Sequence, residues 1–191
     1  HHDITSRNIV HDGTKFVLID YGLSREYNNK DFFIKRMKKE FENDRIYEAY
    51  PFEYIYYPQN DAKLNAEQGE IALKYYRREY DKVYKPIHEL FFNRNCDEIR
   101  FEHLEDMLHG KKSKLSDIIS KLDVYSLGML PLIIMVDLGN ELLIDIEIIS
   151  RLFKSPGLLK QMELLYDMTE YHCQKRISAS ESYTRYQNLI W

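Results

Sequence analysis

Glycine is scarce in this chain of 191 residues, with seven in all and no G-x-G-x-x-G run among them. A glycine-rich loop that folds its backbone over phosphates is therefore missing. Cysteine is scarcer still, and the two present, Cys96 and Cys173, share no metal-ligand spacing. They read as free thiols in a reducing compartment, so an intracellular, cytoplasmic protein is expected. His103 and His109 lie six apart near Cys96 without a zinc pattern, which points to surface or capping roles. A net charge of −4 leaves no electrostatic footprint for nucleic acid. Long hydrophobic runs are lacking too. The most apolar stretch, Leu127 to Val136, contains Pro131 and is too short to cross a bilayer, so neither a membrane span nor a signal peptide is expected. No repeat or low-complexity segment stands out.

What is present describes a soluble globular domain: 44% apolar and 30% charged residues, in a length that fits one domain with a real core. The chemistry concentrates at the start. His1-His2-Asp3-Ile4-Thr5-Ser6-Arg7-Asn8 is followed by Ile9-Val10, then Asp12-Gly13, then Phe16-Val17-Leu18-Ile19, and then Asp20-Tyr21-Gly22. Asp-Gly between apolar, β-branched stretches is a strong hairpin signal. Such a hairpin sets Asp3 and Asn8 before one strand and Asp20 just after its partner. Two carboxylates and an amide brought together can orient a hydroxyl nucleophile and hold magnesium against phosphates.

These runs resemble the catalytic loop and metal-binding motif of eukaryotic-type protein kinases, H-R-D-x-x-x-x-N and D-F-G. The resemblance implies that Asp3 accepts the proton of a substrate hydroxyl. It also implies that Asn8 and Asp20 hold Mg²⁺ on the phosphates of ATP, and that His1 packs beneath the aromatic Tyr21. Asp123-Val124-Tyr125-Ser126-Leu127-Gly128 resembles the opening of the family's buried central helix, whose aspartate hydrogen-bonds the backbone of the catalytic loop. Lys175-Arg176-Ile177-Ser178-Ala179-Ser180-Glu181 resembles the family's K-R-I-T-A-x-E segment. Its arginine pairs with the glutamate of A-P-E, for which Glu53 in Tyr50-Pro51-Phe52-Glu53 is the counterpart. The implied fold is a mainly α, kinase-like large lobe with a small β-hairpin near the N-terminus and a helical insertion. Residues 1–191 form a partial kinase domain: catalytic loop 1–8, activation segment 20–53, insertion 57–120, central helix 123–136.

Within the activation segment, Phe33, Met37 and Phe41 recur every four residues among charged neighbours, which predicts a short amphipathic helix over 30–45. It either packs on the lobe or serves regulation or substrate docking. Seventy residues separate Glu53 from Asp123, more than the family pattern needs. Ala72, Tyr76, Tyr80, Val83 and Ile87 form a helical stripe there, which Pro86 is expected to end or kink near Lys85. A second helix is expected over Ile99 to Leu108. The stripe either packs or offers a surface to a partner. Further helices are expected over Asp145 to Phe153 and Gln161 to Met168, and Pro131 is expected to kink the central helix.

The departures from the family pattern matter as much. His2 replaces the loop arginine that pairs with a phosphorylated activation segment, so switching by that phosphorylation is not expected. Thr5 stands where Ser/Thr kinases place a phosphate-contacting lysine, and Arg7 where tyrosine kinases often carry arginine. The acceptor class leans to Ser/Thr on base rates alone. The glycine-rich loop, the strand lysine for the phosphates and its glutamate partner are all missing, so a small lobe is expected upstream and the 191 residues alone are expected to be inactive. Two other readings remain open. One is a pseudokinase or interaction module using the insertion, against which stands the retention of Asp3, Asn8 and Asp20. The other is a small-molecule kinase of the choline or aminoglycoside type, against which stand Gly22, Asp123 and Arg176.

Overall fold

A computed structural model of the chain describes residues 1–43, 45, 49–51, 53–56, 78, 85–93 and 115–190. The hairpin forms where the sequence predicts it. Strands β1 (Ile9–His11) and β2 (Phe16–Leu18) are antiparallel, with Ile9 opposite Leu18 and His11 opposite Phe16. The turn is organised by the Asp12 carboxylate, which accepts from the Thr14 amide, the Thr14 hydroxyl and the Lys15 amide at 2.8–3.0 Å. Those bonds hold its pKa below the usual carboxylate range. Gly13 takes φ +101°, a backbone conformation that side chains disfavour.

Among the described residues, the regular elements after the hairpin are all helical, which agrees with a mainly α chain carrying one small hairpin. The helices are α1 (Lys30–Glu42), α2 (Glu53–Tyr56), α3 (Lys85–Phe92), α4 (Leu115–Glu141), α5 (Ile146–Phe153), α6 (Leu159–Met168) and α7 (Ala179–Ile190). In α1, the stripe is seen at Phe33 and Met37, which are fully buried. Asp145 caps α5 by accepting from the Glu147 amide at 2.9 Å. Ser178 and Glu181 form a reciprocal capping box that starts α7.

One expectation is corrected. The central helix runs Leu115–Glu141 rather than 123–136. At its start, Ile118, Ile119 and Leu122 continue the buried face and no residue interrupts it. At its end, Leu143 turns left-handed at φ +54° while Ile144 N–H donates to the Gly139 carbonyl and Leu143 N–H to the Asn140 carbonyl. That is a Schellman stop built on leucine instead of glycine. Pro86 lies in the first turn of α3, where its missing N–H costs nothing, and the helix expected to end or kink near Lys85 falls on residues outside the described ones. Ala72, Tyr76, Tyr80, Val83 and the expected helix over Ile99 to Leu108 lie outside the described residues, as do Cys96, His103 and His109.

Helix α4 is the axis of the core. It is long and apolar enough to cross a membrane by length and composition, yet Tyr125, Met129 and Leu132 are completely buried against the other helices. Met37, Tyr54, Phe91, Ile149, Met162 and Tyr171 pack around that face. Gly128 lets α6 approach closely, since a Cβ there would meet the Met168 Cβ at 2.7 Å and the Thr169 Cγ2 at 2.9 Å. The helix continues through Pro131, which cannot donate to the Leu127 carbonyl one turn back. Leu127 itself is half exposed, beside an apolar groove of about 460 Å³ lined by Ile4, Val124, Leu164, Met168 and Tyr183. Cys173 is buried in the same core.

Candidate active site

The loop that carries Asp3 is shaped from behind by α4. Asp123 sits near the middle of that helix, and its two carboxylate oxygens accept from successive backbone nitrogens, His1 at 2.6 Å and His2 at 2.8 Å. His2 takes φ +68°, so the chain reverses sharply before Asp3. Ile4 is buried and anchors the other side of Asp3. Thr5 and Ser6 then lead into a single 3₁₀ turn ending at Asn8.

Asp3 and Asn8 are brought together. The Asn8 side-chain amide donates to the Asp3 carboxylate Oδ2 and to the Asp3 carbonyl, both at 2.9 Å. This uses the nitrogen of Asn8 and points its chemistry at cations through the remaining oxygen. The Asp3 side chain is 24% exposed, so a hydroxyl has access to it.

Asp20 reaches the same end of the hairpin by a different route. The Ile19 amide donates to the Asn8 carbonyl at 2.8 Å, extending the pairing to the residue before Asp20. Asp20 adopts φ +58° and ψ +69°, and its Oδ1 accepts from the Gly22 amide at 3.2 Å, which caps the turn Tyr21–Leu23. Its carboxylate is exposed and, among the described residues, makes no bond to Asp3 or Asn8. His1 packs edge-on against Tyr21, with ring centroids 4.9 Å apart, and its Nε2 lies 3.0 Å from the Ile19 carbonyl.

For magnesium, the donor set is one carboxylate and one amide oxygen. No group of three His, Cys, Asp or Glu side chains able to hold a metal occurs among the described residues. Mg²⁺ prefers oxygen, retains several waters and commonly takes only one or two protein ligands beside substrate phosphates. Asn8 and Asp20 therefore suit a phosphate-bridged ion and not a free-standing metal site.

Glu53 and Arg176, 123 residues apart in the chain, meet in the core. The Arg176 Nη2 donates to both Glu53 oxygens at 3.0 and 3.2 Å, and both side chains are wholly buried. Arg176 Nε also donates to the Glu170 carbonyl at 2.8 Å and Nη1 to the Lys121 carbonyl at 3.2 Å. Its guanidinium lies over the Tyr125 ring at 4.9 Å.

The sequence reading missed the residues that hold the activation segment against the loop. The His2 ring packs at a tilt on Phe33 of α1, with centroids 3.9 Å apart, and its Nδ1 is hydrogen-bonded to the Tyr54 hydroxyl at 2.8 Å. Arg36 of α1 stands 3.8 Å from the Asp3 carboxylate. The one available signal was the α1 stripe, since Arg36 precedes Met37 on the same inward face.

Burial lowers the His2 pKa from its ordinary 6.5 to about 3, against the opposing pull of Asp123. The imidazole is thus neutral at pH 7. Burial likewise keeps Tyr54 protonated by pushing its pKa well up. Between about pH 6.5 and about pH 3 the unfolded chain binds a proton at His2 that the folded chain refuses. Stability from this site is complete above the higher value and is lost on acidification, by up to roughly 1.4 kcal/mol per pH unit. Asn tolerates the left-handed backbone and does not titrate. Urea denaturation between pH 7 and pH 4 is expected to show a steeper loss in the wild type than in His2→Asn; parallel curves would mean that His2 is not held neutral.

Compared with protein-family models, curated proteins and solved structures, the chain matches none, so its chemistry has to be argued from its own side chains.

Proposed function

We propose that this chain is the catalytic lobe of a eukaryotic-type protein kinase, transferring the γ-phosphoryl group of ATP to a protein hydroxyl. The observation that carries the reading is the clamp of Asp123 on the backbone of the loop that bears Asp3. A central-helix carboxylate that accepts from the His1 terminal ammonium and from the His2 amide is a device for fixing a loop conformation, and the residue so fixed is an accessible carboxylate paired with an asparagine five residues on. The reading uses each group in a distinct way. Asp3 takes the hydroxyl proton, and Asn8 and Asp20 supply oxygen ligands for Mg²⁺. Asp123 shapes the loop, and the Glu53–Arg176 pair ties the end of the activation segment to the helical core. Bound Mg·ATP supplies the phosphoryl group and the cation that neutralises its charge. A serine or threonine acceptor is the favoured one.

The reading also calls for an element to cover the ATP phosphates, because the 191 residues contain no glycine-rich loop. ATP affinity of this chain by itself is therefore expected to be weak and Mg²⁺-dependent. Calorimetric titration with ATP, with and without Mg²⁺, tests this. Asp20→Asn is expected to weaken the Mg²⁺-dependent component by about tenfold or more, the size of losing a charge-assisted contact. ATP binding indifferent both to Mg²⁺ and to Asp20 would remove the nucleotide from the site. Transfer to a generic protein substrate, assayed on this chain and on any longer form of the protein, tests the activity itself.

A further inference from the structure

A cation beside the proposed base comes from outside the loop that carries it. Arg36 projects from the inward face of α1 and is 6% exposed, between the fully buried Phe33 and Met37. Its Nη2 donates to the Tyr50 hydroxyl at 3.0 Å and lies 3.8 Å from Asp3 Oδ1. Its Nε and Nη1 are buried and meet no acceptor. Among the described residues, Asp3 is the one carboxylate within ion-pair distance of this guanidinium. An arginine cannot shed its proton to escape burial, and a buried charge is tolerated only beside a countercharge. The seat of α1 therefore draws on Asp3 from the loop, with Glu40 one turn on adding negative charge from the helix itself. The converse also holds, because Asn8 takes Asp3 Oδ2 while Arg36 faces Oδ1, so the carboxylate is oriented between loop and helix.

We infer that Arg36 is a positioning residue for Asp3, making the seating of α1 and the orientation of the proposed base a single event. That Asp3 is a base rests on the kinase reading; the mutual dependence of loop and helix does not. His2 reinforces the coupling from the adjacent position by its tilted packing on Phe33. The contact needs no phosphate on the segment, because the charge that binds the loop is already part of the helix.

Hydrogen exchange followed by mass spectrometry separates the two claims, using the wild type, Asp3→Asn, Arg36→Met, Arg36→Lys and the Asp3→Asn/Arg36→Met double variant. Asp3→Asn removes the countercharge without altering the helix. It is expected to speed amide exchange across 30–42 by about tenfold, with exchange over 179–190 unchanged. Arg36→Met should do the same, and the double variant should exceed neither single one, because both substitutions break one interaction. Arg36→Lys keeps the charge and is expected to lie nearer the wild type than Arg36→Met. Wild-type exchange of α1 in Asp3→Asn would overturn the inference, as would multiplying effects in the double variant or equal acceleration by Lys and Met. If Arg36→Met fails to fold, the Asp3→Asn and Arg36→Lys arms decide. In the transfer assay Arg36→Met should lower kcat and leave KM for ATP unchanged. Absence of transfer by every form of the wild-type protein would sink the kinase reading, while the exchange data would still judge the Arg36–Asp3 pair.

Discussion

In a form of the protein competent for phosphoryl transfer, replacing Asp3 with Asn is expected to slow the transfer by about 10²–10⁴-fold, the usual contribution of a positioned general base, with Mg·ATP binding unchanged. The substitution is nearly isosteric. Asn8 can still donate to the side-chain oxygen at position 3 and to the backbone carbonyl, and the Asp123 clamp acts on His1 and His2 rather than on Asp3 itself. What disappears is the capacity to take a proton. The contrast with Asp20 makes the assignment testable, since loss of that carboxylate should act through Mg²⁺ and weaken nucleotide binding together with turnover. Rates are compared at equal folded fraction, because Asp3→Asn also deprives Arg36 of its countercharge. A variant that stays folded and turns over at the wild-type rate would remove Asp3 from the chemistry. A variant that loses ATP binding would give Asp3 a ligand role instead.

The parts of this fold that can be read from the sequence are those set by neighbours in the chain. Asp12 and Gly13 announce the hairpin because the carboxylate bonds amides two and three residues on, and because glycine accepts the positive φ. Phe33 and Met37 announce α1 because their spacing is the period of a helix with one buried face. The end of α4 is harder, because it turns on Leu143, a residue type that gives no warning of a left-handed stop.

The candidate site divides along the same line. Asp3, Asn8 and Asp20 are recognisable because their spacing is short and the hairpin determines the rest. Asp123, Glu53 and Arg176 are far apart in the chain and stand out by resemblance alone; nothing in the sequence requires that they meet. Arg36 is invisible at that stage. Among the many charged positions of 30–45, which one turns inward depends on how α1 rotates as it docks. Phe33 and His2 settle that rotation through a contact between segments about thirty residues apart. A buried guanidinium facing a loop carboxylate is thus a tertiary fact, and so is the neutral state of His2.

Arg176→Ala is expected to cost roughly 3–5 kcal/mol of folding stability, the penalty for stranding one partner of a buried ion pair. With native domains stable by only about 5–15 kcal/mol, that is a large share of the total, and the melting temperature should fall sharply. The size follows from the setting. Glu53 and Arg176 have no solvent exposure, so no water can replace a lost partner. The guanidinium also satisfies the carbonyls of Glu170 and Lys121, which joins the turn before α7 to the central helix. Removing it leaves the Glu53 charge and these carbonyls buried together. Arg185 and Asp167 provide the internal comparison: that pair is more than a third exposed on both sides, and Arg185→Ala should cost at most about 1 kcal/mol. Replacing both Glu53 and Arg176 by apolar residues of similar size should recover much of the loss, because the desolvation penalty then falls on neither. Urea denaturation of the three variants measures the comparison directly. Equal, small losses for Arg176→Ala and Arg185→Ala would show that the Glu53 pair does not stabilise the core.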